Sequence, residues 1–122
     1  MNLDTLIYET IGASMEVYNA LGPGLLESVY QEAMCHELEL RDLEIATQLP
    51  VEIIYKEEII SSDLRLDIIV EDTLIVELKS VEKLLPVHFK QLRTYMRLLD
   101  KPAGLLVNFH VGDFRDGYRV LK

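Results

Sequence analysis

The sequence predicts an α/β sandwich of order ααβββαβ, a mixed central sheet flanked by helices. Three observations predict it. Apolar residues recur at helical spacing through the first forty positions, the composition turns β-branched at Ile45, and a further helical run from Pro86 leads into a short apolar strand. The 122 residues suit one domain, 1–122, with enough chain to bury a core without disulfide or structural metal.

Each element follows from its own pattern. From Asn2 to Leu21, the residues Leu3, Ile7, Ile11, Met15 and Tyr18 make the apolar stripe of a helix, which Gly22-Pro23-Gly24 ends. A second helix is expected from Leu25 to Leu40, with Leu26, Val29, Tyr30, Ala33, Met34 and Leu38 inward. Beyond Ile45, Val51, Ile53 and Tyr55 alternate with Glu52, Ile54 and Lys56, as in a strand with one wetter face, and Pro50 marks a bulge or sheet edge at its start. Lys56-Glu57-Glu58 makes a turn. Strands are then expected from Ile59 to Val70 and from Leu74 to Val81, joined at Glu71-Asp72-Thr73; their near-continuous apolar content predicts burial on both faces. Pro86 opens a third helix to Leu99, with Phe89, Leu92, Met96 and Leu99 facing the core. On its other side Lys90, Arg93, Arg97 and Lys101 line up as a basic stripe. Ala103 to Phe109 reads as a buried strand, and Tyr118 to Leu121 as an added edge strand.

Composition excludes several classes. Cys35 is the single cysteine, so no intrachain bridge forms, and with no apolar run near the ~20 residues of a membrane span the expectation is a cytoplasmic protein with no membrane partner. The net charge of −9 argues against a general nucleic-acid binder. That mean hides a division: residues 1–78 hold 3 Lys/Arg against 17 Asp/Glu, residues 79–122 hold 9 against 4. A basic surface can therefore lie beside an acidic one.

Three charged residues interrupt apolar strands: Asp67 between Leu66 and Ile68, and Glu77 and Lys79 around Leu78. Burying them unpaired is costly, so they want one another or a metal. Glu77 and Lys79, two apart, leave one face of their strand. A three-residue connection pairs Val70 with Leu74 and sets Asp67 opposite Glu77, whereas a two-residue turn puts the carboxylates on different faces; the first register is expected. Two converging carboxylates and the Leu78 carbonyl make an oxygen-rich site suited to Mg²⁺ or Mn²⁺. An Asp–Lys or Glu–Lys ion pair holding the sheet together accounts for the same residues.

Asp67, then Glu77-Leu78-Lys79 after a hairpin, then Gln91 and Tyr95 on the next helix, resemble the PD-(D/E)XK nuclease superfamily in its RecB-like branch. Gly24-Leu25-Leu26-Glu27-Ser28-Val29-Tyr30 matches the pattern of the GxxExxY proteins, small members of that superfamily, and the likeness extends to Gly22-Pro23, Gln48, Tyr55 and Gly104 to Phe109. The departure is Leu66, where the superfamily name has proline. The resemblance implies a restriction-endonuclease-like fold and a Mg²⁺- or Mn²⁺-dependent nuclease acting on DNA or RNA through a metal-activated water. It implies Asp67, Glu77 and Lys79 as catalytic residues, Glu27 with Asp67, Glu77 and Leu78 as metal ligands, and Gln91 and Tyr95 beside the substrate. Lys90, Arg93 and Arg97 are expected to carry the phosphate backbone, weakly for a monomer, with a homodimer or protein partner supplying further contacts. The alternative is a catalytically silent binding or regulatory subunit on the same fold. Tyr30 also reads as core, Gly24 as a turn residue, and Gln91 and Tyr95 as structural support.

Overall fold

The computed structural model describes residues 1–122, apart from the side chain of residue 62. Helix α1 spans Leu3–Leu21 and is capped by Asn2, whose Oδ1 accepts the Thr5 N–H at 2.8 Å. Gly22, at φ 68°, ends it and returns its own N–H to the Tyr18 carbonyl. The buried face runs through Leu6, Ile7, Thr10, Ala13, Ser14 and Val17. Met15, expected inside, is exposed. Each four-residue step advances 40° around a helix, so a stripe spaced strictly by four walks off the core face.

Helix α2 spans Glu27–Leu40 and buries Tyr30, Met34 and Leu38. Leu26 and Val29, both expected inside, face solvent, Leu26 with 74% of its surface exposed. Leu26 is the extended residue that precedes the helix, and Val29 lies 100° round from Tyr30, outside the single row that meets the sheet.

The sheet has five strands in the order β1 (Ile45–Tyr55), β2 (Glu58–Val70), β3 (Leu74–Lys79), β4 (Ala103–Asn108), β5 (Tyr118–Leu121). All neighbours are antiparallel except β3 and β4, which are parallel and joined by the crossover helix α3 (Pro86–Leu98). Helices α1 and α2 cover one face over Ile68, Val70, Val76, Leu78, Leu105 and Val107. Helix α3 covers the other over Leu66, Ile69, Ile75 and Leu106. It lies close because β4 carries Gly104 beneath it: a Cβ there would meet Leu92 at 2.8 Å.

Pro50 lies inside β1 rather than at its start, tolerated because β1 is an edge strand that needs no donor on its free side. The β1–β2 hairpin turns at Lys56 and Glu57, both at positive φ, with bulges near Ile53. Burial of β2 on both faces holds only from Leu66 onward; Ile54, Tyr55, Ile59 and Ile60 at the hairpin end are exposed. The reason is length: thirteen strand residues reach about 43 Å, while a thirteen-residue helix such as α3 covers about 20 Å. Among the described residues no helix is long and apolar enough to cross a membrane.

Candidate active site

Strands β2 and β3 pair as Val70↔Leu74, Ile69↔Ile75 and Ile68↔Val76, the register of a three-residue connection, and there the ladder stops. The next positions are Asp67 and Glu77. Their carboxylates take over from the ladder: the Asp67 N–H donates to Glu77 Oε1 at 3.1 Å, and the Leu78 N–H donates to Asp67 Oδ2 at 2.8 Å. The two strands thus part with their backbone donors satisfied and two acids in the gap. Since N–H and C=O of one strand residue point to the same edge, the Leu78 carbonyl also faces this gap.

Side-chain alternation breaks at the same place. Leu66 belongs to the core under α3 and Ile68 to the core under α1 and α2, although residues two apart in a regular strand share a face. Opposite Asp67 on β1 stands Gln48, at φ 50°, between the paired residues Thr47↔Ile68 and Leu49↔Leu66.

Glu77 is buried, with 4% of its surface exposed. Burial first, and then the neighbouring Asp67 charge, push its carboxyl up to about 8, against the pull of the Asp67 N–H and of Lys79. Burial also raises Asp67, opposed by the Leu78 N–H, by Lys79 and by a hydrogen bond from Gln48. Lys79 acts from a distance: among the described residues it forms no salt bridge with either acid, so the ion pair that would have explained these residues structurally is not made.

Glu27 is the first residue of α2. The loop before it is tied twice: the Tyr30 hydroxyl accepts the Leu25 N–H at 3.2 Å and donates to the Gly22 carbonyl, while Ser80 Oγ donates to the Leu25 carbonyl at 2.7 Å. Tyr30 is core as expected, stacked on Phe109 at 4.3 Å, and its hydroxyl adds the loop anchor. Glu27 comes near enough for its charge to raise both Asp67 and Glu77. The expected convergence of all three carboxylates on one point does not occur: among the described residues no three His, Cys, Asp or Glu side chains gather closely enough to hold an ion.

Helix α3 brings Tyr95 into the layer beside the acids. Burial, then the Glu77 charge, raise its hydroxyl pKa, and Gln91 Nε2 donates to that hydroxyl at 3.0 Å. Lys90, Arg93 and Arg97 are exposed and unpaired among the described residues. Lys101 leaves the stripe, drawn to Asp72 at 3.1 Å. His88 accepts the Leu85 N–H at the start of α3 and so serves as a cap.

Sequence reasoning gave no role to three supporting residues: Gln48 and Asn108, which it met only within the family likeness, and Ser80, which it passed over. Asn108 is buried at the end of β4 and clamps the chain after Lys79, accepting the Val81 N–H at 3.1 Å and donating to the Val81 carbonyl at 2.8 Å. It was findable by the rule that found Asp67, a polar residue inside an apolar run. Gln48 carried only the family likeness, and Ser80 no signal.

A family model of the PD-(D/E)XK nuclease superfamily matches residues 4–121. No curated protein and no solved structure gives a significant match.

Proposed function

The chain belongs to the PD-(D/E)XK nuclease superfamily, and from that premise we propose that it is a divalent-metal-dependent phosphodiesterase acting on DNA or RNA, of the GxxExxY group in the RecB-like branch. The observation that carries the reading is the opened ladder at Asp67 and Glu77, where two acids share a gap that buries Glu77 with no cationic partner in contact. Folding an unpaired acidic pair costs stability, which a site with a use for the charge repays.

Nucleases of this superfamily generally use divalent metals. The donor set fits a hard cation: Asp67, Glu77 and the Leu78 carbonyl supply oxygens only, and the backbone bonds engage one oxygen of each carboxylate. Glu27 would complete or buttress the set. When bound, Mg²⁺ or Mn²⁺ lowers the pKa of a water and neutralises charge on a phosphoryl oxygen. The protein's part is to hold these oxygens, to place the Lys79 ammonium beside the phosphoryl group, where charge builds up during displacement, and to orient the Tyr95 hydroxyl through Gln91. Lys90, Arg93 and Arg97 extend a basic surface along α3 for the phosphate backbone.

The net charge of −9 favours a second reading, a silent binding or regulatory subunit. Calorimetric titration with Mg²⁺ and Mn²⁺, beside a cleavage assay on DNA and RNA, separates the two. The nuclease reading expects metal binding and cleavage by the wild type. It expects Asp67→Asn to abolish cleavage by removing an anionic ligand, and to leave the melting temperature within a few degrees, because the amide oxygen still accepts the Leu78 N–H. Metal binding without cleavage supports the silent subunit; neither binding nor cleavage removes both the metal and the enzyme.

A further inference from the structure

Gln48 holds an unusual conformation for its place. It sits within an edge strand, with paired residues on both sides, yet its φ of 50° lies in the left-handed region that non-glycine residues avoid. No bulge accounts for it, because the β1–β2 register is the same before and after: Thr47 pairs with Ile68 and Leu49 with Leu66. Gln48 and Asp67 are the one opposed pair missing between them. A residue with a strained backbone persists when something it touches over-determines it.

Its side-chain Nε2 donates to Gln31 Oε1 at 2.8 Å, and the amide stands close enough to Asp67 to draw its carboxyl pKa down. Gln31 lies one helical turn after Glu27 on α2. A line of amides therefore runs from the helix face that carries Glu27, through Gln48, to the carboxylate of Asp67. Asp67 in turn holds the Leu78 N–H at 2.8 Å, on the strand that carries Glu77 and Lys79.

We propose that Gln48 is a positioning residue for Asp67: its left-handed backbone aims an amide donor across the broken rung, fixing the orientation of the Asp67 carboxylate and its spacing from α2. The role rests on the nuclease reading for its chemical purpose, while the hold on Asp67 is a property of the fold that can be measured without metal or substrate. Packing does not explain Gln48, since it is exposed. Backbone geometry alone does not either, because glycine adopts this conformation at less cost.

The test uses Gln48→Gly and Gln48→Glu in the full chain. Glycine suits the left-handed position, so Gln48→Gly is expected to melt at or above the wild-type temperature. Gln48→Glu keeps the length but removes the donor and sets a carboxylate against Asp67. Both are expected to speed hydrogen exchange at the Leu78 amide about tenfold, as Asp67 loosens, with the Val76 and Leu105 amides unchanged. Both are expected to weaken Mg²⁺ binding and to lower kcat about tenfold with little change in KM for a nucleic-acid substrate. If the wild type neither binds Mg²⁺ nor cleaves, the nuclease reading fails and the exchange result alone decides the positioning role. Unchanged Leu78 exchange in both variants overturns it, as does a Gln48→Gly protein that melts well below the wild type with exchange faster throughout, which would make Gln48 a stabilising residue only.

Discussion

Glu77 concentrates the physics of the site in one side chain. A carboxylic acid ordinarily titrates near 4.5, and here burial beside Asp67 moves it to about 8. The folded state thus binds its proton more tightly than the unfolded chain does. The stability this contributes is fully present below pH 4.5 and is lost as pH rises through 8, with Asp67, also raised, acting in the same direction from a lower starting point. Glu77→Gln fixes the position in a neutral form that still accepts the Asp67 N–H. Thermal unfolding followed from pH 4 to 9 without divalent metal is expected to show a falling profile for the wild type and a flatter one for the variant. The gap should reach on the order of 3 kcal/mol at pH 8 and above. Superimposable profiles would mean that Glu77 ionises freely in the folded protein.

Helix α3 does two jobs on opposite sides, and each has its own test. Its inner side meets β4 across Gly104, where an added methyl would lie 2.8 Å from Leu92. Gly104→Ala is expected to cost about 1–3 kcal/mol by chemical denaturation, because Leu92 must move in a packed core. Its outer side presents Lys90, Arg93 and Arg97, a stripe reduced from four cations to three by the capture of Lys101 at Asp72. Three phosphate contacts would give a slope of about −3 in log K against log salt, and removing two should bring it to about −1. Arg93→Glu combined with Arg97→Glu is expected to weaken nucleic-acid binding accordingly; an unchanged slope would mark the stripe as a solvated surface.

For the whole molecule, the unbalanced acids at one end of the sheet predict linkage between metal, proton and fold. A cation bound at Glu77 would take the place of its proton, so Mg²⁺ is expected to stabilise the fold more at pH 8.5 than at pH 6, by up to about 2.7 kcal/mol at a hundred times its dissociation constant. Equal effects at both pH values, or none, would show that the cation does not bind at these carboxylates. Much of this architecture was legible in the chain. The element order, the five strands and their boundaries within a few residues follow from local periodicity and from Pro and Gly signals, which short-range sterics enforce. Asp67, Glu77 and Lys79 stood out because charge inside an apolar strand is expensive wherever that strand packs. The three-residue connection even fixed the register that sets Asp67 opposite Glu77. Tertiary structure alone decided the rest: that the ladder opens at that rung, that Gln48 takes a left-handed turn across from it, and that Leu26, Val29 and the hairpin end stay in solvent. Each of these depends on which distant segment covers a face or pairs with an edge, which the local pattern of side chains does not encode.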